Sequence, residues 1–170
     1  MTGDDQLIAD IARNDPSAFQ ALYGRHAAAV YRYALSILRT PHLAEDVLQE
    51  TMLAVWKGAD RFRGGSKVLT WILGIARNQA HNAIRRETKE RRIPKTSRHE
   101  QSGDPTRSLH RDLRVQAALD RISAQHREVM HLVFYEGLTV REAAVVLGIP
   151  EGTVKSRMHH ARRALAKELT

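Results

Sequence analysis

From Asp15 onward, apolar positions return at intervals of three, four and eight. Phe19, Leu22, Val30, Tyr33, Ala34 and Ile37 fall on one side of a helix that Asp15 can cap and Pro16 can begin. Thr40-Pro41 opens a second helix, with Leu43, Val47, Met52, Ala54 and Val55 inward. Gly64-Gly65-Ser66 marks a loop, and a third helix starts near Leu69 with Leu69, Ile72, Leu73, Ala76, Ala80 and Ala83 on its buried face. No stretch alternates apolar and polar residues over a useful length, so strands are not expected.

The pattern breaks after Ile84. Arg85 to Thr106 holds one aliphatic residue, Ile93, among Pro94, Ser97, Ser102, Gly103, Asp104 and Pro105. It reads as a linker into whose start the preceding helix frays. Arg85–His99 carries seven Lys/Arg against two Glu, which fits either a solvated charged tether or an arm that tracks a phosphate backbone. Helical spacing then resumes. Leu109, Leu113, Ala117 and Leu119 predict one helix, and Ser123 caps another with Val129, Met130, Val133 and Phe134.

The last stretch, LTVREAAVVLGIPEGTVKSRMHHARRAL, is the most specific. Thr139 and Glu142 stand three apart as a capping box, and Val140, Ala143, Ala144 and Leu147 form the inward face. Gly148 can adopt the left-handed backbone that ends the helix, Ile149 plugs the turn, and Pro150 stops any continuation. A second helix starts near Glu151 with Val154, Met158, Ala161 and Leu165 inward. The opposite face carries Ser156, His159, His160 and Arg163, with Lys155 toward one edge and Arg157 and Arg162 beside the apolar seam. Two short helices across a tight turn, the second presenting a basic face, predict a helix-turn-helix that can enter a major groove. The fold class expected is therefore all-α: two small helical domains, residues 1–88 and 108–170, joined by a basic flexible linker over 89–107, the second domain a helix-turn-helix.

Charge sharpens this picture. A formal net charge of +8 over 170 residues and a pI near 10.3 favour a polyanionic partner. The absence of cysteine excludes disulfides, thiolate metal sites and cysteine nucleophiles. Neither an apolar signal core near the N-terminus nor an apolar run of about 20 residues is present, so the expected location is cytoplasmic, without direct membrane insertion. Nine histidines raise a metal question, but His159 and His160 are adjacent and diverge on a helix, and no HExxH occurs. No metal, cofactor, phosphate-cradling glycine loop or nucleophile–base pair is expected.

Three segments, LAEDVLQETMLAVW (Leu43–Trp56), RFRGGSKVLTWILGIARNQAHNAIRR (Arg61–Arg86) and the helix-turn-helix stretch, resemble in this order the signature segments of extracytoplasmic-function sigma factors, the promoter-specificity subunits of bacterial RNA polymerase. The resemblance runs over nearly the whole chain from about residue 15. It implies two family regions: region 2 over 1–88, for core polymerase binding and minus-ten recognition and melting, and region 4 over 108–170, for minus-thirty-five recognition.

Asp46, Gln49 and Glu50, which share a helical face, would then dock on a coiled coil of the polymerase clamp. Arg63, Lys67, Arg77, Asn78 and Asn82 would meet the minus-ten DNA, Asn78 at the position lining a pocket for a flipped-out base, with Arg85 and Arg86 suited to phosphates. Lys155, Ser156, His159, His160 and Arg163 would face the minus-thirty-five element, with His160 standing where the family frequently has arginine. The implied partners are core RNA polymerase, promoter DNA and an inhibitory anti-sigma factor. No cofactor is implied.

Other readings stay open on the residues alone. Glu45, Asp46 and Glu50 suit a solvated acidic face or, less readily, a catalytic carboxylate pair. Trp71 fits either a stacking platform or core packing, and Trp56 reads as packing. A free-standing helix-turn-helix regulator would explain the second domain but leaves Leu43–Arg86 as a mere ligand or dimer module.

Overall fold

The computed structural model describes residues 3–90 and 110–170, with the side chains of 110–112 left aside. Its elements are α1 (Asp4–Ala12), α2 (Pro16–Leu38), α3 (Pro41–Gly58), a 3-10 turn (Ala59–Arg61), α4 (Val68–Glu90), α5 (His110–Arg121), α6 (Ala124–Met130), a wide π-type turn (His131–Tyr135), α7 (Val140–Leu147) and α8 (Glu151–Leu169). Among the described residues there is no strand.

Local chemistry sets the boundaries. The Asp15 carboxylate accepts from the Ser17 and Ala18 amides at 2.9 and 3.4 Å, satisfying donors that the first turn of α2 leaves open. Thr139 Oγ1 accepts from Glu142 N at 3.1 Å and the Glu142 carboxylate accepts from Thr139 N at 3.3 Å, which closes the capping box of α7. Gly148, at φ 66°, ends that helix in the left-handed conformation where a Cβ would be strained. Ser123 caps α6 through His126 N at 3.3 Å.

One element was not foreseen. The helix α1 buries Leu7, Ile8 and Ile11 against α2, α4 and the 3-10 turn. Asp4 anchors it: its carboxylate accepts from Arg25 at 2.9 Å and meets His26 at 2.7 Å. The signal was present in the triplet spacing of 7, 8 and 11 and in the acidic first turn.

The core begins as a three-helix packing of α2, α3 and α4. Ala34, Ala44, Ala80 and Ala83 are all small, which lets the three helices approach closely around Val47. The main core continues from Leu22, Val30, Tyr33, Val55, Ile72, Leu73 and Ala76 without interruption into Val129, Leu132, Leu138, Ala143, Leu147 and Val154. The second half of the chain therefore packs directly on the first, mostly α7 on α4 and α6 on α2. Each fully buried Leu or Ile in this seam contributes about 1.5–3 kcal/mol of transfer free energy.

Two inward faces differ from the periodic reading. In α5, Leu113 (59% exposed) and Ala117 face outward while Ala118 and Ile122 are buried; Leu109 lies outside the described residues. Asp120, between those two buried positions, reaches Arg39 at the end of α2 at 2.6 Å, and this ion pair orients the helix. Phe134 is 54% exposed where the spacing put it inside. The π-type turn adds a residue to its turn, with Glu136 N donating to His131 O at 2.9 Å, and so rotates Phe134 outward and leaves Leu132 as the buried residue.

Candidate functional site

The outer face of α3 is acidic and open. Asp46 and Gln49 are exposed, and Leu53, 50% exposed, follows on the same face at spacings of seven and four. The sequence reading gave Leu53 no role: it lay outside the inward set Leu43, Val47, Met52, Ala54 and Val55 and was not joined to the polar face. Glu50 is half-buried and its carboxylate lies 3.6 Å from Arg86 Nη2 of α4. The three candidate docking residues thus share a face, but one of them also ties α3 to α4. Trp56 meets Phe19 edge-on with centroids 5.5 Å apart, and Trp71 lies 5.1 Å from Phe62, so both indoles are packing groups in this structure.

A second group lies along α4 and the loop before it. Arg63 is exposed beside Gly64, whose φ of 73° makes the loop's sharp turn. Asn78 and Asn82 are exposed, and Asn82 Oδ1 accepts from Arg85. Glu50, Gln79, Asn82, Arg85, Arg86 and Lys89 line an open groove between α3 and α4. This lining of amides and guanidiniums has donors for a base edge and for phosphate.

Arg77 and Lys67, the remaining two candidates on this surface, are engaged by the other half of the chain. Arg77 Nε donates to Glu128 Oε1 at 2.8 Å, and the Tyr33 hydroxyl donates to the same oxygen at 2.5 Å. Burial, reinforced by Glu128, raises the Tyr33 phenol well above its ordinary value, so it remains a donor. Lys67 Nζ stands 3.8 Å from Glu142, whose carboxylate also accepts from Thr70 Oγ1 at 3.2 Å. Burial, then Arg77, pushes the His81 imidazole down; it stays neutral at neutral pH, and its Nε2 is buried without a hydrogen-bond partner.

The third group is on α8. Lys155, Ser156, His159, His160 and Arg163 are all exposed, opposite Val154 and Ala161, which are fully buried. His160 stacks near His126 with centroids 6.2 Å apart, leaning toward α6. Arg162 does not point along the outward face: its guanidinium carbon lies 5.0 Å above the Phe134 ring.

Among the described residues, no three His, Asp or Glu gather as a metal site, and no helix is long and apolar enough to cross a membrane.

Comparison with known proteins agrees with this layout. A model of sigma-70 region 2 matches residues 22–90, and a model of sigma-70 region 4 matches residues 118–167. The ECF RNA polymerase sigma factor SigL of Mycobacterium tuberculosis is 36% identical over 93% of this chain and 92% of its own length. RNA polymerase sigma factor CarQ of Myxococcus xanthus is 31% identical over 89% of each. Among solved structures, CnrH in complex with the cytosolic domain of CnrY superposes with a TM-score of 0.73 at 27% identity, covering 98% of this chain and 96% of that one. The sigma factor RpoE in complex with the anti-sigma factor NepR, from Bartonella quintana, superposes with a TM-score of 0.72 at 29% identity, covering 89% and 96%.

Proposed function

This chain belongs to the extracytoplasmic-function sigma factors, and from that premise we propose how its three exposed surfaces divide the work of transcription initiation. It binds core RNA polymerase, directs it to specific promoters and assists melting of the DNA there. Members of this family are initiation factors without enzymatic activity, and in our reading this chain contributes contacts and no catalytic chemistry of its own. Family membership displaces the free-standing regulator, which left the first domain without a task.

Residues 1–88 act as region 2, 89–107 as the tether and 108–170 as region 4. Asp46, Gln49 and Glu50 present carboxylate and amide groups to a basic coiled coil of the polymerase. Arg63, Lys67 and Arg77 take phosphates of the minus-ten region, while Asn78 and Asn82 bond base edges that become accessible only when the duplex is open. Lys155, Ser156, His159, His160 and Arg163 enter the major groove of the minus-thirty-five element. The tether makes the two DNA contacts one bipartite event, which raises apparent affinity without new contacts. The protein works in the cytoplasm, with an anti-sigma factor as its inhibitory partner; both structural neighbours were solved with such a partner or with a cytosolic domain bound.

The observation that carries this reading is the joint occurrence, in one chain and in order, of region 2 and region 4 with an exposed basic face on α8. Run-off transcription with core polymerase on a randomised promoter library tests it. Initiation that depends on the chain and is confined to a subset of sequences is expected. Initiation from no sequence would return the free-standing regulator to consideration.

A further inference from the structure

Of the five candidate readers on α8, His160 is the one that, among the described residues, meets an aromatic ring from another helix. The His126 ring of α6 lies against it with centroids 6.2 Å apart and planes 24° from parallel, a stacked arrangement. His159 meets the same ring edge-on, at 5.6 Å and 67°. The His160 imidazole is thus bracketed by two rings while the residue as a whole stays exposed. The support beneath His126 is rigid. It is the third residue of α6, and its amide donates to Ser123 Oγ at 3.3 Å, which fixes the first turn of that helix. Val129, one turn further on, is fully buried in the same core as Val154 of α8, and α6 packs along α8. His126 itself is half-buried. The backbone points that carry the two rings are therefore held relative to each other by the core.

We infer that His126 is a positioning residue that sets specificity at the minus-thirty-five element: from α6 it holds the His160 imidazole in one orientation, so that two helices together decide the base preference at that position. The inference rests on the functional reading above, in which His160 faces base edges. An unsupported histidine on an open helix face samples its staggered rotamers, and each aims the ring nitrogens at a different place in the groove. Imidazole offers only those two nitrogens, and it discriminates between bases only when one of them meets a particular edge. A neighbouring ring that favours one rotamer narrows the set of bases the histidine can read, without itself touching DNA. It also removes, before DNA arrives, part of the rotamer freedom that binding would otherwise have to freeze. Lys155, Ser156 and Arg163 stand on the same exposed face, and their readout does not pass through α6.

Two substitutions test this in holoenzyme, on promoters randomised over the minus-thirty-five element. His126→Ala removes the supporting ring, whereas His126→Phe keeps a ring to stack on and removes the nitrogens. His126→Ala should lower discrimination by roughly two- to tenfold at the promoter position that His160→Ala relaxes, and leave the other positions as they are. His126→Phe should keep the wild-type ranking of promoters. In a chain that already carries His160→Ala, adding His126→Ala should leave the ranking unchanged, because the ring it positions is gone. Core polymerase affinity and the unfolding midpoint of each variant should stay near wild type, which separates a change of preference from a change of fold.

A His126→Ala ranking identical to wild type, beside a His160→Ala ranking that changes, overturns the inference and leaves the function standing. A His126→Phe chain that shifts preference as far as His126→Ala does makes His126 a DNA contact in its own right and overturns the positioning role, as do additive effects of His126→Ala and His160→Ala. A His126→Ala chain that depresses all promoters alike and unfolds earlier reduces His126 to a packing residue. Holoenzyme that initiates nowhere with the wild-type chain sinks the functional reading itself and the inference with it.

Discussion

The two helices proposed to read DNA differ in how free their side chains are. On α8, Lys155, Ser156, His159, His160 and Arg163 project into solvent from a helix held by Val154 and Ala161. On α4 and its preceding loop, Asn78 and Asn82 are exposed, but Arg77 and Lys67 are taken by Glu128 and Glu142 of the opposite domain. The same residue types in the same kind of helix differ in availability because of what packs beside them. A recognition surface is thus defined by the exposure of its side chains in a given state of the chain, and its charge pattern alone does not say when it can act. Here the surface proposed to read the minus-thirty-five element is open, while on the surface proposed for the minus-ten region Arg77 is held by the half-chain packed against it.

The largest effect expected from this contrast is on stability. Arg77→Ala strands the buried Glu128 carboxylate with only the Tyr33 hydroxyl as partner and should cost about 3 kcal/mol, read as a shift in denaturant unfolding. Arg163→Ala, on the exposed α8 face, should stay within about 0.5 kcal/mol of wild type in the same assay. Equal costs at the two positions would remove the difference between the surfaces.

Next come the proposed base contacts, each expected to be worth about 1–3 kcal/mol at particular promoter positions. Asn78→Ala should slow open-complex formation more than polymerase binding, and most of the defect should persist on a template already mispaired at the minus-ten region. Full rescue on that template would confine Asn78 to melting. His160→Ala should reorder the preferred minus-thirty-five sequences and leave the opening rate alone. Were His160→Ala to lower all promoters alike, its contact would be with backbone, and the reading of α8 would shift accordingly.

Arg162→Ala gives a smaller effect. Its position beside the seam fits a backbone phosphate or a neighbouring element of the fold, and it lies over Phe134. Its loss should cost about 0.5–1 kcal/mol of stability at this partly exposed site and leave the salt slope of promoter binding unchanged. A slope lower by about one would return it to the DNA.

Acid provides the gentlest probe. Burial alone would raise the Glu136 carboxyl, but hydrogen bonds from His131 and Arg32 overcome it and hold it below its ordinary value of 4.5. Glu142 is likewise lowered from 4.5, where the Thr139 hydrogen bonds, Lys67 and Thr70 outweigh burial. A carboxyl depressed in the folded state contributes stability that is fully present above its unfolded value and disappears as pH falls through the depressed one. The domain contact should therefore be insensitive between pH 6 and 8 as far as these two groups are concerned, and should loosen on acidification below about 4.5. Unfolding midpoints measured across this acid range read this directly. Glu136→Gln should blunt the acid response, and an undiminished response would place it on other carboxylates, such as Asp4, which is also lowered by its hydrogen bonds to Arg25 and His26 against the effect of burial.

How far the amino-acid sequence reached depended on the range of the interaction involved. The start of α2 at Pro16, the start of α3 at Pro41, the capping box at Thr139 and the left-handed Gly148 are decided within a few residues of chain, by hydrogen bonds and backbone sterics that neighbours supply. The outward face of α8 followed from helical period alone, since Val154 and Ala161 had only one side to bury. The α1 helix was legible in Leu7, Ile8 and Ile11 and went unread because the segment looked merely acidic. The inward faces of α5 and of the π-type turn were not legible: an ion pair to Arg39 and a five-residue turn shift the register by less than one helical turn, and apolar spacing cannot resolve that.

The engagement of Arg77 and Lys67 lay wholly outside sequence reading. Tyr33 and Glu128 are 95 positions apart, Arg77 and Glu128 are 51 apart, and nothing local in either segment distinguishes a guanidinium bound for solvent from one bound for a carboxylate. By itself, then, the sequence determined the helices, the turn and the basic face of α8, because period and capping act over a single turn of chain. Only the tertiary structure decided which charges are free, because Coulomb pairing and desolvation depend on where two distant segments meet in space.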